Sequence, residues 1–406
     1  MSMARPSVAF IGNMNNNHFS IARYLRDRGV DAHVLMYHSD FEHFHPACDS
    51  YDSQYESFCR TLSWPAETRF RELTRERLRA EFDAYDVLVG CGIAPAYAYR
   101  MGRPLDIFCP YGGDIWGSTF YRFTGHPVRW PAQAYQVYAR RRGIRSAAVF
   151  HMSRTNDLYE RRYAKLAGNS TRWFEGMPMV YGPMYAAENI DGIYAGSRWT
   201  DRFAQLRSGH DLMVVYHGRH VWRKGVGPEP AAKGVERLLA GWARFVKSAA
   251  RCNAVLVMLE YGEDVERTRA YARELGIQDS TAWLPQMYRK DLMAGIHMAD
   301  LVCGEFENSW MMSGILFEAM VAGKPIMAYR DDALYADEYP DLYPIVNARE
   351  PDDIAAALVH CSQSRASMML LGKQGREWYE RRVVEPIIQR YLSYVERKMS
   401  LLRKGQ

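Results

Sequence analysis

The sequence predicts an α/β protein with two successive Rossmann-like lobes. Strand and helix patterns alternate along the chain, the alternation restarts near residue 211, and 406 residues are many for one hydrophobic core. We expect a first lobe at residues 1–207, joined by a C-terminal helix at 378–406 that crosses back to it, and a second lobe at 211–377. A cleft between two such lobes is the expected ligand site.

The first lobe opens with a βαβ unit. An apolar run at Ser7–Ile11 is typical of a buried strand, a helical pattern follows at His18–Arg28, and a second strand ends at Met36. Gly12 and Asn13 begin a Gly/Asn turn, which tolerates positive φ and leaves the backbone open to a ligand. This turn lacks the spaced glycines that NAD binding requires. Further strands are predicted at Val87–Gly90, Asp106–Phe108, Ala147–His151 and Gly192–Ala195.

The second lobe repeats the alternation and ends in helices. The predicted order is strand Leu212–His217, helix Gly234–Ser248, strand Ala254–Glu260, helix Val265–Leu275, strand Ala282–Leu284 and helix Arg289–Ala299. The later helical patterns are Asp352–His360, Arg365–Leu371 and a long one from Glu377 to about Met399.

Composition is that of a soluble globular protein. The hydrophobic fraction of 48% excludes a disordered chain, and the modest net charge of +5 does not favour a nucleic-acid partner. The basic cluster Arg140–Arg145 indicates peripheral contact with anionic lipid, an anionic acceptor or a solvated helix face. Seven scattered cysteines and the lack of a membrane-spanning run predict a cytoplasmic protein, with the inner face of the membrane as an option.

The segment from Asp300 to Tyr329 reads as strand, turn, acidic helix and strand. A helix that begins at Ser313 and Gly314, beyond the carboxyl end of a strand, directs its first amides toward phosphate. Glu318 follows about one turn later. An ordinary turn with a solvated glutamate fits the same residues.

Basic residues follow the first strand of the second lobe. Arg219, within His217-Gly218-Arg219-His220, and Lys233, just before a helix, suit a diphosphate because arginine grips two oxygens and lysine adds a mobile charge. Lys224 lies in a Gly/Pro-rich insertion and is expected to be exposed.

Together these pieces resemble the family 4 glycosyltransferases of the GT-B fold. The resemblance covers most of residues 212–330, and its motifs are Gly218-Arg219, Lys233-Gly234, Leu259-Glu260-Tyr261-Gly262, Trp283-Leu284-Pro285, Met298-Ala299-Asp300-Leu301, Phe317-Glu318-Ala319-Met320 and Ala322-Gly323-Lys324-Pro325. It implies sugar transfer from a nucleotide-diphosphate donor with retention of anomeric configuration. It also implies a UDP- or GDP-sugar donor, no metal and no other cofactor.

The resemblance assigns roles to matching residues. Arg219 and Lys233 would hold the diphosphate, and Glu318 the ribose hydroxyls. The remaining donor-binding candidates are the backbone at Leu284 and Met287, which would face the base, the amides of Ser313, Gly314 and Ile315 near the phosphates or sugar, and Glu260, Gly12 and Asn13.

Two departures from the family pattern affect the predicted site. Trp310 stands where the family has a second glutamate, and Glu305 or Glu307 in the preceding loop either replace it or belong to a polar surface loop. In the first lobe Cys109-Pro110-Tyr111-Gly112-Gly113-Asp114 looks like the family's His-Gly-x-Asp segment, with Tyr111 in place of His. Asp114 would bind a hydroxyl or, alternatively, be the N-cap of a helix.

The predicted catalytic set is Asp114, Tyr111 and His151. His151 ends a strand and His18 begins a helix, so each is either a ligand contact or a structural histidine. The resulting prediction is a hexosyltransferase-type glycosyltransferase that builds a glycan or glycoconjugate on a carbohydrate, lipid-linked sugar or small-molecule acceptor. A nucleotide-sugar epimerase, which needs an acid–base pair, and a catalytically silent sugar-nucleotide-binding module are the alternatives.

Overall fold

A computed structural model describes residues 5–37, 42–64, 70–152, 157–222, 232–248, 252–337 and 339–404. The chain forms two compact units, Met1–Tyr181 with Arg382–Gln406, and Gly182–Arg381. Each unit contains one parallel sheet flanked by helices, so the prediction of two Rossmann-like α/β domains is confirmed.

The first unit has a seven-stranded sheet in the order β3-β2-β1-β4-β5-β6-β7. Its strands are β1 (Ser7–Ile11), β2 (Asp31–Met36), β3 (Cys59–Thr61), β4 (Val87–Gly90), β5 (Ile107–Phe108), β6 (Val149–His151) and β7 (Thr171–Trp173). Its helices are α1 (Asn17–Asp27), α2 (Arg75–Phe82), α3 (Ala94–Met101), α4 (Gly112–Trp116), α5 (Trp130–Ser146) and α6 (Asp157–Ala167). The direction of strand addition reverses between β1 and β4.

The second unit has a six-stranded sheet in the order β10-β9-β8-β11-β12-β13, which reverses between β8 and β11. Its strands are β8 (Leu212–Tyr216), β9 (Ala254–Glu260), β10 (Thr281–Pro285), β11 (Leu301–Cys303), β12 (Ile326–Ala328) and β13 (Val346–Asn347). Its helices are α7 (Ile190–Gly196), α8 (Thr200–Ser208), α9 (Val235–Ser248), α10 (Val265–Glu274), α11 (Arg289–Met298), α12 (Gly314–Val321), α13 (Pro351–Gln363) and α14 (Arg365–Tyr379).

A π-helical turn at Glu380–Val384 leads from α14 into α15 (Glu385–Lys404), which packs on α1 of the first unit. In the described part of the chain, no helix has the length and apolar character needed to cross a membrane.

Apolar runs and helical periodicity explain the cores. Strands β1 and β4 are buried almost throughout, as expected for parallel strands covered on both faces. Helix α9 buries Val235, Leu238, Leu239 and Trp242, whose spacing lines one face of a helix.

Local predictions failed where apolar runs were short or absent. Gly192–Ala195, predicted as a strand, lies in α7, and a four-residue apolar run does not distinguish the two states. No sequence pattern predicted the short strands β3, β7 and β13, which contain exposed residues. Helices α7 and α8 pack on α11, which places residues 182–208 in the second unit, while the boundary was predicted near residues 207–211.

Candidate functional site

The reversal of strand order in the second unit creates the candidate site. In an open parallel sheet, ligands bind beyond the carboxyl ends of the strands where the order reverses. Here the reversal lies between β8 and β11. The segments that follow these strands contain the predicted donor-binding residues Arg219, Lys233, Ser313, Gly314 and Ile315.

Lys233 is held at this edge by a buried ion pair. Its Nζ lies 2.6 Å from Oε1 of Glu305, and both side chains are less than 15% exposed. The main chain joins the same two loops, because the Phe306 amide donates to the Lys233 carbonyl at 2.9 Å. Gly234 has φ +72°, and a Cβ there would lie 2.7 Å from the Glu307 amide nitrogen, so glycine permits this close approach.

Arg219 is exposed and forms no ion pair with the described residues. Its neighbour His220 is buried and donates from Nε2 to the Leu259 carbonyl at 2.9 Å. Burial lowers the pKa of His220 to about 4, so this side chain is neutral at pH 7. Gly262, with φ +118°, lets the following turn approach the His220 backbone, since a Cβ would lie 2.6 Å from its nitrogen. Lys224 lies outside the described residues.

Glu318 is buried on α12 between two partners. Arg289 Nε lies 2.7 Å from Oε1, and His217 Nε2 lies 2.7 Å from Oε2. Burial alone would raise the pKa of Glu318, but the Arg289 charge and the His217 hydrogen bond outweigh it and lower the pKa to about 2. Glu318 is therefore ionised, and both of its oxygens have side-chain partners. Its binding to ribose hydroxyls stays a prediction.

The N-terminus of α12 begins where the sequence predicted. Ser313 is the N-cap, and the Phe317 amide donates to its carbonyl at 3.1 Å. The amides of Gly314 and Ile315 precede this bond and lie outside the helical ladder. A Cβ at Gly314 would have no heavy atom within 4 Å, so this end of the helix is open on that side. Such a terminus favours an anion.

The remaining predicted residues of the second unit are less accessible. Leu284 is buried in β10, and Met287 is half-buried in the loop before α11. Glu260 ends β9 and pairs with Arg269, whose guanidinium lies 5.0 Å from the Trp283 ring centroid. Because the Leu284 side chain is buried, any contact of this residue with a base would come from its backbone.

Glu307, like Glu305, already has an ionic partner, because it lies 2.9 Å from Arg237. Sequence reasoning did not select Arg289 and His217 as site residues. The available signal was their position: His217 follows β8 and Arg289 begins α11 after β10, so both lie near the carboxyl edge of the sheet.

In the first unit, the turn after β1 is held by neutral hydrogen bonds. Asn13 is fully buried, donates to Asn16 Oδ1 and the Phe44 carbonyl, and accepts from the Phe19 amide. Gly12 has φ +83°, and Asn15 and Asn16 have φ of 52° and 59°, which confirms the predicted tolerance of positive φ. The Asn13 amide nitrogen and oxygen therefore both have partners within the first unit.

Asp114 joins two other turns of the first unit. Its Oδ2 accepts from the Gly92 amide after β4 at 2.9 Å and from the Tyr111 amide after β5 at 3.1 Å. Asp114 is not the predicted N-cap, because Tyr111 is the N-cap of α4 and the Asp114 carboxylate accepts the Tyr111 amide from the third helical position. The catalytic role of Asp114 stays a prediction. Tyr111 is 37% exposed, and its hydroxyl accepts a hydrogen bond from Asn15.

The two histidines of the first unit are buried and neutral. His18 Nδ1 donates to the Gly12 carbonyl at 2.7 Å. His151 Nε2 donates to the Glu175 carbonyl, and the Tyr391 hydroxyl donates to Nδ1, each at 3.3 Å. Burial lowers the pKa of each histidine to about 4. These contacts favour the structural alternative for both, and the catalytic role of His151 stays a prediction.

Fold and site together define a protein of the GT-B type: two Rossmann-like domains, the second with cationic side chains and a helix N-terminus at its strand-order reversal. Residues 197–378 match the family model described as glycosyl transferases group 1. The matched segment lies within the second unit and contains all of its predicted site residues.

Solved structures of the same fold cover nearly the whole chain. Sucrose-phosphate synthase from Thermosynechococcus elongatus has a TM-score of 0.60 at 15% identity, covering 98% of this chain and 100% of that one. Anabaena Alr3699/HepE in complex with UDP-glucose has a TM-score of 0.58 at 14% identity, covering 95% and 99%. The trehalose 6-phosphate synthase of Burkholderia multivorans has a TM-score of 0.57 at 12% identity, covering 100% of both chains. No curated protein matches the sequence.

Proposed function

We propose that the protein is a retaining glycosyltransferase of family 4 type, which moves a sugar from a UDP- or GDP-sugar to an acceptor hydroxyl. The main observation that supports this proposal is the sheet edge at β8 and β11, where Lys233, Arg219 and the N-terminus of α12 follow neighbouring strands. Cations and helix amides at one sheet edge suit a diphosphate. The UDP-glucose bound to a protein of the same fold supports a uridine donor.

Each group has a definite part in the proposed transfer. As the bond between sugar and diphosphate breaks, negative charge grows on the leaving diphosphate. Arg219 and the amides of Gly314 and Ile315 stabilise that charge, and Lys233 joins them by exchanging Glu305 for the diphosphate. In a retaining transfer, the leaving diphosphate accepts the proton of the acceptor hydroxyl on the same face, so the protein supplies no nucleophile. The proposal includes no metal or further cofactor.

The first unit is proposed to bind the acceptor through Asp114 and Tyr111. The acceptor is a carbohydrate, a lipid-linked sugar or a small molecule. An epimerase would need a titrating acid–base pair, and burial keeps His18 and His151 neutral at pH 7. This contrast favours transfer over epimerisation.

Calorimetric titration with UDP, GDP and their glucose conjugates tests the proposal. We expect Lys233→Ala and Arg219→Ala each to weaken nucleoside diphosphate binding about 10- to 100-fold, the usual effect of removing a hydrogen bond to a charged group. Lys247→Ala is the matched control, because Lys247 is an exposed lysine at the other end of α9. Unchanged affinity in both site variants would remove the assignment.

Product analysis separates the alternatives. Free nucleoside diphosphate together with a glycosylated acceptor supports a transferase. A changed sugar still attached to nucleotide would indicate an epimerase, and binding without turnover across an acceptor panel would indicate a silent module.

A further inference from the structure

The first unit contains a long stretch with arginines and no acidic residue. Between Asp114 and Asp157 there is neither aspartate nor glutamate nor lysine, and the seven arginines are Arg122, Arg129, Arg140, Arg141, Arg142, Arg145 and Arg154. Such one-sided charge over about forty residues is unusual in a chain whose acidic and basic residues are otherwise interspersed.

The structure divides these arginines into two groups. Arg140 is only 2% exposed, and Arg141 donates to the Thr119 carbonyl at 2.6 Å with its guanidinium 4.8 Å from the Tyr121 ring centroid. The basic cluster at Arg140–Arg145 is therefore not one solvated face. The exposed arginines are Arg122 and Arg129 in the segment before α5, and Arg142 and Arg145 near its C-terminal end.

Large apolar side chains are exposed in the same stretch. Six of the twelve exposed large hydrophobic side chains among the described residues lie between residues 121 and 138: Tyr121, Phe123, Val128, Trp130, Tyr135 and Tyr138, which are 40–76% exposed. This concentration distinguishes the region from the rest of the surface, where single exposed apolar residues need no explanation.

Helix geometry places several of these exposed aromatic and arginine side chains on one stripe of α5. Tyr135, Tyr138, Arg142 and Arg145 are spaced three, four and three residues apart, so they lie on the same side of α5. The Phe123 and Trp130 rings pack 5.5 Å apart at the start of the helix. From Trp130 to Arg145 the stripe is about 22 Å long at ~1.5 Å per residue.

We propose that this docking face, formed by Tyr121, Arg122, Phe123, Val128, Arg129, Trp130, Tyr135, Tyr138, Arg142 and Arg145, binds the surface of an anionic lipid bilayer. Tryptophan and tyrosine favour the headgroup level because their rings are apolar with a polar edge, and arginine pairs with lipid phosphates.

Shape and charge both favour a bilayer over a small ligand. The face is long and exposed, which suits an extended surface. Glu72, exposed on the neighbouring short helix Phe70–Glu72 that packs on α5, offsets one of the four exposed positive charges and leaves the face cationic. The inference stands independently of the proposed sugar transfer.

Vesicle sedimentation of the full chain tests this inference. We expect binding to phosphatidylcholine vesicles that contain about one third phosphatidylglycerol, little binding to pure phosphatidylcholine, and weakening as salt rises, because surface charges are screened. This comparison uses the wild-type protein alone. Equal binding to both vesicle types, or to neither, overturns the proposal.

Two double variants separate the apolar and charged contributions. Phe123→Ser with Trp130→Ser, and Arg142→Glu with Arg145→Glu, should each weaken binding about tenfold or more, whereas Arg142→Lys with Arg145→Lys should keep most of it. The matched control is Met369→Ser with Leu370→Ser, because these α14 side chains are 73% and 56% exposed outside the docking face. Equal loss in the control overturns the proposal.

Competition identifies the ligand class. Soluble glycerol phosphate should not displace the protein from vesicles, since a single phosphate does not span the face. Displacement by glycerol phosphate would indicate a phosphate site instead, and tighter binding to a single-stranded oligonucleotide than to vesicles would indicate a nucleic-acid surface. Either result overturns the bilayer assignment while leaving the donor-binding test unaffected.

Discussion

The two sheets reverse strand order in the same way, but the side chains at the two reversals differ in charge. After β1 of the first unit the hydrogen bonds are neutral: His18 donates to the Gly12 carbonyl, and the Phe19 amide donates to Asn13 Oδ1. After β8 and β11 of the second unit, Lys233 pairs with Glu305. The same edge of the second unit also contains an ion pair between Arg289 and Glu318.

This difference teaches that the backbone supplies a binding edge and the side chains determine its ligand. A charged edge attracts phosphate, because a cationic side chain that is already ion-paired and partly desolvated there exchanges its carboxylate partner for the phosphate. An edge whose neutral polar groups hydrogen-bond to other groups of the protein gives no such selectivity for phosphate. The carboxylate next to it in the first unit belongs to Asp114, which suits the hydroxyl of an acceptor rather than an anion.

Breaking the buried ion pair between Arg289 and Glu318 should have the largest effect. Glu318→Gln removes the carboxylate that pairs with Arg289 and His217, and we expect a loss of about 3–5 kcal/mol in the free energy of unfolding at pH 7. Because the pKa of Glu318 is lowered from 4.5 to about 2, the wild type keeps this stabilisation above pH 4.5 and loses it as the pH falls toward 2.

Urea unfolding of wild type and variant at several pH values measures this difference, which should shrink below pH 4.5. Glu266→Gln is the control, since Glu266 is 80% exposed in its pair with Arg269 and should contribute less than about 1 kcal/mol. A Glu318→Gln variant as stable as the control would contradict the buried pair.

The neutral histidines of the first unit predict a different pH range. Burial lowers the pKa of His151 from 6.5 to about 4, so the unfolded chain takes up this proton first and the folded state loses stability as the pH falls from 6.5 to 4. His151→Gln should remove about 3 kcal/mol of that loss, as expected from a shift of this size.

The free energy of unfolding by urea between pH 4 and 7 gives the slope for each protein. A variant with the slope of wild type would show that His151 is not buried as described. A slower sugar transfer at pH 7 in a variant of wild-type stability would instead support the predicted catalytic role of His151.

Long periodic patterns explain why most of the fold was predictable. The helix at Val235–Ser248 and the strand at Ala254–Glu260 each extend over enough residues to distinguish the period of a helix from that of a strand. The strands at Cys59–Thr61 and Thr171–Trp173 are three residues long and mostly exposed, so only pairing with a neighbour defines them. Pairing between distant segments has no local sequence signal.

The position of the site was predictable from the sequence, but the contacts among its side chains were not. The glycine at 234 and the helix start at Ser313 were visible in the sequence, because a turn and an N-cap have local requirements. Arg289 and Glu318 are 29 positions apart in the sequence, and His217 and Glu318 are 101 positions apart. Such pairs depend on the order of strands in the sheet.

Asp114 offers a sharper comparison, because it is the charged group at the edge of the first unit. Asp114→Asn keeps an oxygen that accepts the Gly92 and Tyr111 amides but removes the charge. We expect a melting temperature near that of wild type and sugar transfer slowed about 100-fold, the usual loss when a proton-handling or hydroxyl-binding group is neutralised.

Asp114→Ala is the companion variant, since it removes the amide contacts as well and should lower the melting temperature. Initial transfer rates and thermal unfolding of the same preparations decide between the roles. Full activity of Asp114→Asn would leave Asp114 with a capping function alone.

The smallest expected effect concerns the balance of charge beside Lys233. Glu305→Gln removes the carboxylate with which a diphosphate competes for this lysine, so nucleoside diphosphate affinity should rise about fivefold at low salt, a difference of roughly 1 kcal/mol in binding free energy that salt screens. If Glu305 replaces the glutamate that Trp310 displaces, nucleotide-sugar affinity should fall in the same variant, because the sugar hydroxyls lose an acceptor.

Calorimetry with the diphosphate and its sugar conjugate measures both changes. Glu377→Gln is the control, since Glu377 is 63% exposed in its pair with Lys373 on α14 and should change neither affinity. Parallel changes for the two ligands would show that Glu305 acts on charge alone and does not contact the sugar.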